Sequence, residues 1–307
     1  MRLLKGKLYA LPLSVLLLCV PAAGYETGYE SNVSLANQGH AEAQNNLGII
    51  YYEGKGVHQD YQKAFDWYQK AANQGFADSQ YNLGVMYAQG QGIRQDDKKA
   101  FEWYQKAANQ GFAGAQHNLG VMYAQGQGIR QDDRKAFDWY QKAANQGFAD
   151  SQHNLGVIYF EGQGVRQDYQ KAFEWYQKSA NQGFAGSQYN LGLMYAEGQG
   201  VHQDYQKALE WYQRSANQGF AYSQHNLGLM YAKGHGVRQD YQKAFEWYQK
   251  SANQGYTKTQ HNLGLMYARG QGVHQDYKKA KNFFRLSCDN GLQESCDSYK
   301  YLNQRGF

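Results

Sequence analysis

The sequence predicts an all-α protein, an α/α solenoid of seven 36-residue helix-turn-helix repeats with a cap at each end. The first observation is that Asn-Leu-Gly recurs every 36 residues, with its asparagines at Asn46, Asn82, Asn118, Asn154, Asn190, Asn226 and Asn262. The second is that tryptophan recurs at the same interval until Phe283 replaces it, at Trp67, Trp103, Trp139, Trp175, Trp211 and Trp247. The third is that 35 glycines accompany only 2 prolines, so the glycines do not belong to a low-complexity linker. A fixed period of this length is typical of a stacked repeat array.

The repeats account for most of the chain. Counted from Ala41, they span residues 41–76, 77–112, 113–148, 149–184, 185–220, 221–256 and 257–292. Residues 23–40 precede them as an N-terminal cap or linker, because Ser34–His40 resembles the end of a truncated second helix. Residues 293–307 resemble a first helix without its partner and form the expected C-terminal cap. Positions below are counted from the first residue of each repeat.

The first 22 residues have the pattern of a secretory signal peptide. A basic start is followed by a short apolar stretch from Leu8 to Val20 and then by small residues. Cleavage is expected after Ala22, with Gly24 as the alternative. The apolar stretch is shorter than the ~20 residues of a membrane span, which disfavours an uncleaved membrane anchor. A lipoprotein modified at Cys19 is also disfavoured, because Leu18 stands where such signals have a small residue.

Removal of this segment changes the charge of the chain. It contains three basic and no acidic residues, so 28 basic and 26 acidic residues remain. A nearly neutral chain lacks the concentrated basic surface that binds nucleic acid. A mean hydropathy of -0.82 excludes a polytopic membrane protein, and the aromatic content of 16% excludes a disordered chain. We therefore expect no nucleic-acid partner and no membrane span after cleavage.

Each repeat contains the pattern of two helices. In Ala77–Ala88 the apolar or small residues are spaced by three and four, and Gly90 then ends the helix. Asp96 is placed to cap the second helix, and Gly111 is placed to end it. The glycine-rich loop follows a helix, whereas a dinucleotide-binding loop follows a strand.

These residues carry a resemblance to a known family. The pattern A-x-x-Q-x-N-L-G-x-M-Y-x-x-G-x-G-V-x-Q-D-Y-x-K-A-F-x-W-Y-x-K-A-A-N-Q-G-F resembles the Sel-1-like repeat, a relative of the tetratricopeptide repeat. The resemblance implies a right-handed superhelix whose concave face is lined by the first helix of each repeat. It also implies a scaffold or adaptor role rather than a reaction.

Two cysteines remain after cleavage, Cys288 and Cys296. The alternatives are two free thiols or part of a metal-binding site, but the sequence has no C-x-x-C pattern that would complete a zinc site. A secretory signal favours a disulfide, and cysteine-rich secreted members of the family join successive helices at similar spacing. We expect a disulfide that secures the terminal cap.

The resemblance implies a peptide-binding groove at positions five and six. The sixth-position residues are Asn82, Asn118, Asn154, Asn190, Asn226 and Asn262, and the fifth-position residues are Tyr81, His117, His153, Tyr189, His225 and His261. Asparagine amides offer both a donor and an acceptor to a peptide backbone. The alternative is that each asparagine binds its own loop or the neighbouring helix.

No residue pattern indicates catalysis, a metal or a cofactor. Histidine alternates with tyrosine at position five, which suits a flat hydrogen-bonding residue better than a metal ligand. The paired carboxylates Asp96-Asp97 and Asp132-Asp133 lie where helix caps belong. Some cysteine-rich relatives are described as penicillin-binding or β-lactamase proteins, but the serine motifs of those enzymes do not occur here.

The sequence therefore predicts an exported, non-enzymatic scaffold that binds a protein or peptide in its groove, in the periplasm or outside the cell. Envelope processes and host interaction are the roles that the resemblance implies. A weak hydrolase of the penicillin-binding or β-lactamase type is the alternative. An adaptor of the endoplasmic reticulum is a third reading, but residues 303–307 carry no retrieval signal.

Overall fold

The computed structural model describes residues 29–307, so the expected signal peptide and the start of the N-terminal cap lie outside the described residues. The described chain forms sixteen α-helices in helix-turn-helix pairs, which confirms the predicted all-helical solenoid. Their bounds are α1 Tyr29–Asn37, α2 Ala41–Glu53, α3 Tyr61–Asn73, α4 Ala77–Gln89, α5 Asp97–Asn109, α6 Ala113–Gln125, α7 Asp133–Asn145, α8 Ala149–Glu161, α9 Tyr169–Asn181, α10 Ala185–Glu197, α11 Tyr205–Asn217, α12 Ala221–Lys233, α13 Tyr241–Asn253, α14 Thr257–Arg269, α15 Tyr277–Asp289 and α16 Gln293–Gln304.

Each repeat consists of a first helix of 13 residues, an irregular loop and a second helix of similar length. Helices α2 to α15 supply these pairs, while α1 precedes the first repeat and α16 follows the last. The chain divides into two compact units, one ending at Gln167 and the other beginning at Asp168.

An aspartate caps the start of every second helix. In the third repeat, the Asp132 carboxylate accepts a hydrogen bond of 2.9 Å from the backbone N–H of Lys135. The bond satisfies one of the donors that the first turn of a helix leaves without a partner. Asp96 makes the same contact with Lys99 at 3.1 Å, so its predicted role is confirmed.

A glycine ends every first helix. Gly90 has a φ of 68°, which is the left-handed conformation, and its N–H donates to the carbonyl of Met86. Side chains other than glycine rarely adopt this conformation. The predicted glycine stop is therefore present, and the chain turns back toward the second helix after it.

The core of a repeat lies between its two helices. In the third repeat, Leu119, Met122, Ala136 and Tyr140 are buried, with exposed fractions of 2% or less. The Tyr140 ring lies on Gly120, where a side chain on the first helix would otherwise stand. The Leu-Gly pair of the motif is thus a docking site for the tyrosine of the second helix.

Neighbouring repeats pack through aromatic and polar contacts. The Phe137 ring meets Tyr159 of the next repeat edge-on, with ring centroids 5.6 Å apart. The Gln152 amide donates to the carbonyl of Ala144 at 3.2 Å. Such contacts bury surface that a single hairpin leaves exposed, which is why these repeats are stable only as an array.

A disulfide joins Cys288 of α15 to Cys296 of α16, with the Cα atoms 4.7 Å apart. The predicted pair is therefore linked. Beside it, Phe284 of α15 and Leu302 of α16 are buried against each other. The last helix is held to the array by both contacts.

Candidate functional site

Four positions of each first helix lie on one side of that helix. Positions 2, 6, 9 and 13 fall within about 60° of one another at the 100° per residue of an α-helix. Positions 7 and 10 point elsewhere and are buried, as Leu83 and Met86 show in α4. We call the side formed by positions 2, 6, 9 and 13 the first-helix face.

The predicted asparagines occupy the middle of this face with different degrees of exposure. Asn118, Asn154 and Asn226 are buried, with exposed fractions of 7%, 7% and 5%. The other four are half-buried, and they are Asn46, Asn82, Asn190 and Asn262. The half-buried members are the ones that a ligand could contact without a change in the surrounding structure.

Several of these asparagines contact the preceding repeat. Asn154 lies near the hydroxyl of Tyr140, and Asn262 lies near the hydroxyl of Tyr248. Burial raises the pKa of both tyrosines, and the asparagine partly offsets that rise because it stabilises the phenolate. The Asn82 amide lies 3.4 Å from the Oδ1 atom of Asn45 in the preceding first helix. The asparagines therefore take part in the packing between repeats, whether or not they also bind a ligand.

The histidines at position five join neighbouring first helices. The Nδ1 atom of His117 lies 2.9 Å from the Oγ atom of Ser151, one repeat further along the chain. His225 and Thr259 form the same contact at 2.8 Å, and His261 and Ser295 form it at 2.7 Å. The hydroxyl partner always lies 34 residues later.

Burial keeps these imidazoles neutral. It lowers the pKa of His117, His153 and His225 to about 4, and the nearby Lys258 ammonium adds to the effect at His225. Burial also lowers the pKa of His261. A buried imidazole loses the hydration of its charged form, so protonation is disfavoured.

The tyrosines at position five are packed among other aromatic rings. Tyr81 is buried, with its ring centroid 4.9 Å from Phe112, and burial raises its pKa to about 12. Tyr189 is half-buried and contacts Phe220 with ring centroids 5.5 Å apart. Both residues lie beside the first-helix face rather than at its centre.

Position three is a functional position that sequence reasoning missed. In five of the seven repeats it is a fully buried serine or threonine, whereas Ala43 and Ala115 occupy it in the other two. The Ser79 hydroxyl donates to the Oδ1 atom of Asn45, at position five of the preceding repeat, over 2.8 Å. The signal was available as a polar residue at position five followed by a hydroxyl residue 34 positions later. Its meaning depends on how the repeats stack.

Residues 29–307 contain neither a candidate metal site nor a candidate membrane span. No group of three or more histidine, cysteine, aspartate or glutamate side chains in that range is arranged to hold a metal ion. No helix there has the length and apolar content needed to cross a membrane.

Comparison with known proteins identifies the repeat. The family model described as the Sel1 repeat matches seven consecutive segments, residues 41–76, 77–112, 113–148, 149–184, 185–220, 221–256 and 257–292. No curated protein matches the chain.

Two solved structures are similar over most of the chain. A protective antigen of uropathogenic Escherichia coli strains, which displays an SLR fold, is 38% identical with a TM-score of 0.85. The match covers 91% of this chain but 60% of the antigen, so this chain spans less than two thirds of that protein's length. A Sel1 repeat protein from Oxalobacter formigenes is 34% identical with a TM-score of 0.72, over 89% of this chain and 79% of its own.

Proposed function

The chain belongs to the Sel1 repeat family, and from this membership we propose that it is an exported, non-enzymatic scaffold that binds a protein or peptide along its first-helix face. The observation that carries the proposal is the recurrence of this face in every repeat. Positions 7 and 10 and the second-helix tyrosine are buried in the core, whereas the first-helix face keeps half-buried polar side chains such as Asn82 and Asn190. An array of this kind presents an extended surface that suits a long ligand.

Two observations support an exported location. The disulfide between Cys288 and Cys296 is of a kind that persists in oxidising compartments. The similar Escherichia coli protein is a protective antigen, which suits a role at the cell envelope or in contact with a host.

Site-specific photo-crosslinking in the native compartment tests the proposal. A photoreactive residue at Leu229 or Leu265, both at position 9, is expected to capture a protein or peptide. The control is the same residue at Glu246, which is exposed on the second helix of the sixth repeat. Capture from Glu246 alone, or from none of these positions, would contradict binding at the first-helix face.

The competing function is a weak hydrolase of β-lactam or peptidoglycan-like substrates. A chromogenic β-lactam assay on the purified mature protein separates the two. We expect no turnover above the uncatalysed rate, and robust turnover that a single substitution abolishes would overturn the non-enzymatic proposal.

A further inference from the structure

The last three first-helix elements stand side by side. The hydrogen bond between His225 and Thr259 joins α12 to α14, and the bond between His261 and Ser295 joins α14 to α16. Both bonds link the same pair of positions, so equivalent residues of the three helices lie in rows. Neighbouring packed helices are separated by about 8–10 Å, which sets the spacing of each row.

Position 13 forms a basic row across these helices. Its residues are Lys233, Arg269 and Arg305, and all three are exposed. No ion pair found within residues 29–307 involves any of them. In the earlier repeats the same position holds acidic or amide side chains, which are Glu53, Gln89, Gln125, Glu161 and Glu197. The basic row is therefore a property of the C-terminal helices and not of the repeat.

An apolar row runs beside the basic one. Position 9 holds Leu229 and Leu265, which are half-buried, and Tyr301, which is 51% exposed. Positions 9 and 13 are one helical turn apart and are therefore neighbours on the helix surface. The Arg305 guanidinium lies 4.7 Å from the centroid of the Tyr301 ring, so the two rows are in contact at α16.

We propose that the first-helix face of α12, α14 and α16 binds an acidic peptide segment in an extended conformation. The proposal rests on the proposed scaffold function and adds the chemical class of the partner. In the polyproline II form of an extended chain, with three residues per turn and a rise of about 3.1 Å per residue, every third side chain lies on the same side, about 9 Å from the next. A carboxylate at every third residue can therefore meet successive basic side chains. The apolar row receives the intervening apolar side chains.

The positive charge of the face favours an acidic peptide over a neutral or basic one. Lys258 at position 2 of α14 adds a fourth cation to the face, and Glu294 at position 2 of α16 is its one acidic residue. In residues 29–167 the charged residues at positions 2 and 13 are all acidic, and they are Glu42, Glu53, Asp78, Asp150 and Glu161. A second copy of the chain could therefore compete for the basic row.

The test measures peptide affinity by fluorescence anisotropy, with the mature protein and its disulfide intact. Three labelled dodecapeptides are compared, each a fourfold repeat of Glu-Ser-Leu, Gln-Ser-Leu or Lys-Ser-Leu, with acetylated and amidated ends that carry no charge. The test variant is Lys233→Glu with Arg269→Glu. The matched control is Lys278→Glu with Arg285→Glu, two exposed residues of α15 whose reversal gives the same change in net charge.

The proposal predicts that the glutamate peptide binds about tenfold more tightly than the glutamine peptide, with an affinity that falls as salt is added. The test variant should lose about tenfold or more of that affinity and gain affinity for the lysine peptide, because charge reversal turns attraction into repulsion. The control variant should stay within about twofold of the parent, since its charges lie on the second helix and not on the binding face.

Three results would overturn the proposal. The first is equal affinity for the three peptides or no binding of the glutamate peptide, and the second is an equal loss in the control variant. The third is self-association of the parent in sedimentation that the test variant abolishes, because the basic row would then be occupied by a second copy. A partner captured by crosslinking at Leu229 without a preference for acidic peptides would leave the scaffold function standing, so the two proposals fail separately.

Discussion

The ring of Tyr140 lies directly on the backbone of Gly120, and a Cβ atom placed on Gly120 would stand 2.5 Å from the Cδ1 atom of Tyr140. Carbon atoms in contact need about 3.5–4.0 Å, so even a methyl group at Gly120 must displace a buried ring. We expect Gly120→Ala to lower the free energy of unfolding by about 1–3 kcal/mol, as overpacking of a core does. Thermal melting followed by circular dichroism measures the change.

The matched control for this substitution is Gly114→Ala in the same helix. A Cβ atom there would lie 3.2 Å from Phe112 and 3.3 Å from Tyr81, which is a looser fit than at Gly120, and other repeats place Asp78 and Asp150 at the same position. Alanine favours a helix over glycine by up to about 1 kcal/mol, so Gly114→Ala should keep or raise the melting temperature. Equal melting temperatures for the two variants would show that the Tyr140 contact is not what requires glycine.

The half-buried histidines at position five predict a loss of stability in acid. The folded-state pKa of about 4 for His117, His153 and His225 lies below the ordinary value of 6.5. The unfolded chain therefore binds protons first as the pH falls. The stability is complete above pH 6.5, declines between 6.5 and about 4, and changes no further from this cause at lower pH. Each histidine contributes on the order of 2–3 kcal/mol to the decline.

The triple variant His117→Tyr, His153→Tyr and His225→Tyr tests this cause. Tyrosine already occupies the same position at Tyr81 and Tyr189, so the repeats can accommodate it. Melting temperatures measured from pH 7 to 4 should fall less steeply in the variant than in the parent. Parallel curves would assign the acid sensitivity to carboxylates instead.

Replacement of Asn154 by alanine separates the two roles considered for the asparagines. The buried Asn154 amide is a polar neighbour of the buried Tyr140 hydroxyl, and its loss costs about 1–3 kcal/mol. We expect a lower melting temperature. An unchanged melting temperature together with weaker photo-crosslinking at Leu229 would show that the asparagines serve the ligand and not the packing.

Because only one of two adjacent aspartates caps the second helix, we expect the two to differ in their contribution to stability. Asp132→Ala removes the acceptor of the Lys135 N–H and should cost about 1 kcal/mol of stability. Asp133→Ala removes an exposed hydrogen bond from Gln131 and should cost less. Chemical denaturation of both variants measures the difference, and equal costs would contradict the capping role.

Reduction of the disulfide should release the last helix before the rest of the array. The bond closes a short loop between Cys288 and Cys296, and such a loop contributes roughly 2–3 kcal/mol. Hydrogen exchange with and without reductant should show faster exchange in α16 and unchanged exchange in α6 and α7. Two free thiols in the non-reduced mature protein would contradict the bond itself.

The sequence alone determined the number of repeats, the two helices of each repeat and their capping residues. These features are local, because glycine and aspartate act on the backbone within one turn of their own position, as Gly90 and Asp96 do. The disulfide could also be predicted from the sequence, since its two cysteines are only eight residues apart.

Only the tertiary structure decided what the side chains at positions five and six contact. The partner of His117 is Ser151 and the partner of Asn82 is Asn45, and each partner belongs to a neighbouring repeat. Which side chains meet across that gap depends on the angle at which one hairpin stacks on the next. For the same reason, the sequence shows only that Lys233, Arg269 and Arg305 are 36 residues apart. The stacking of α12, α14 and α16 places them on one surface.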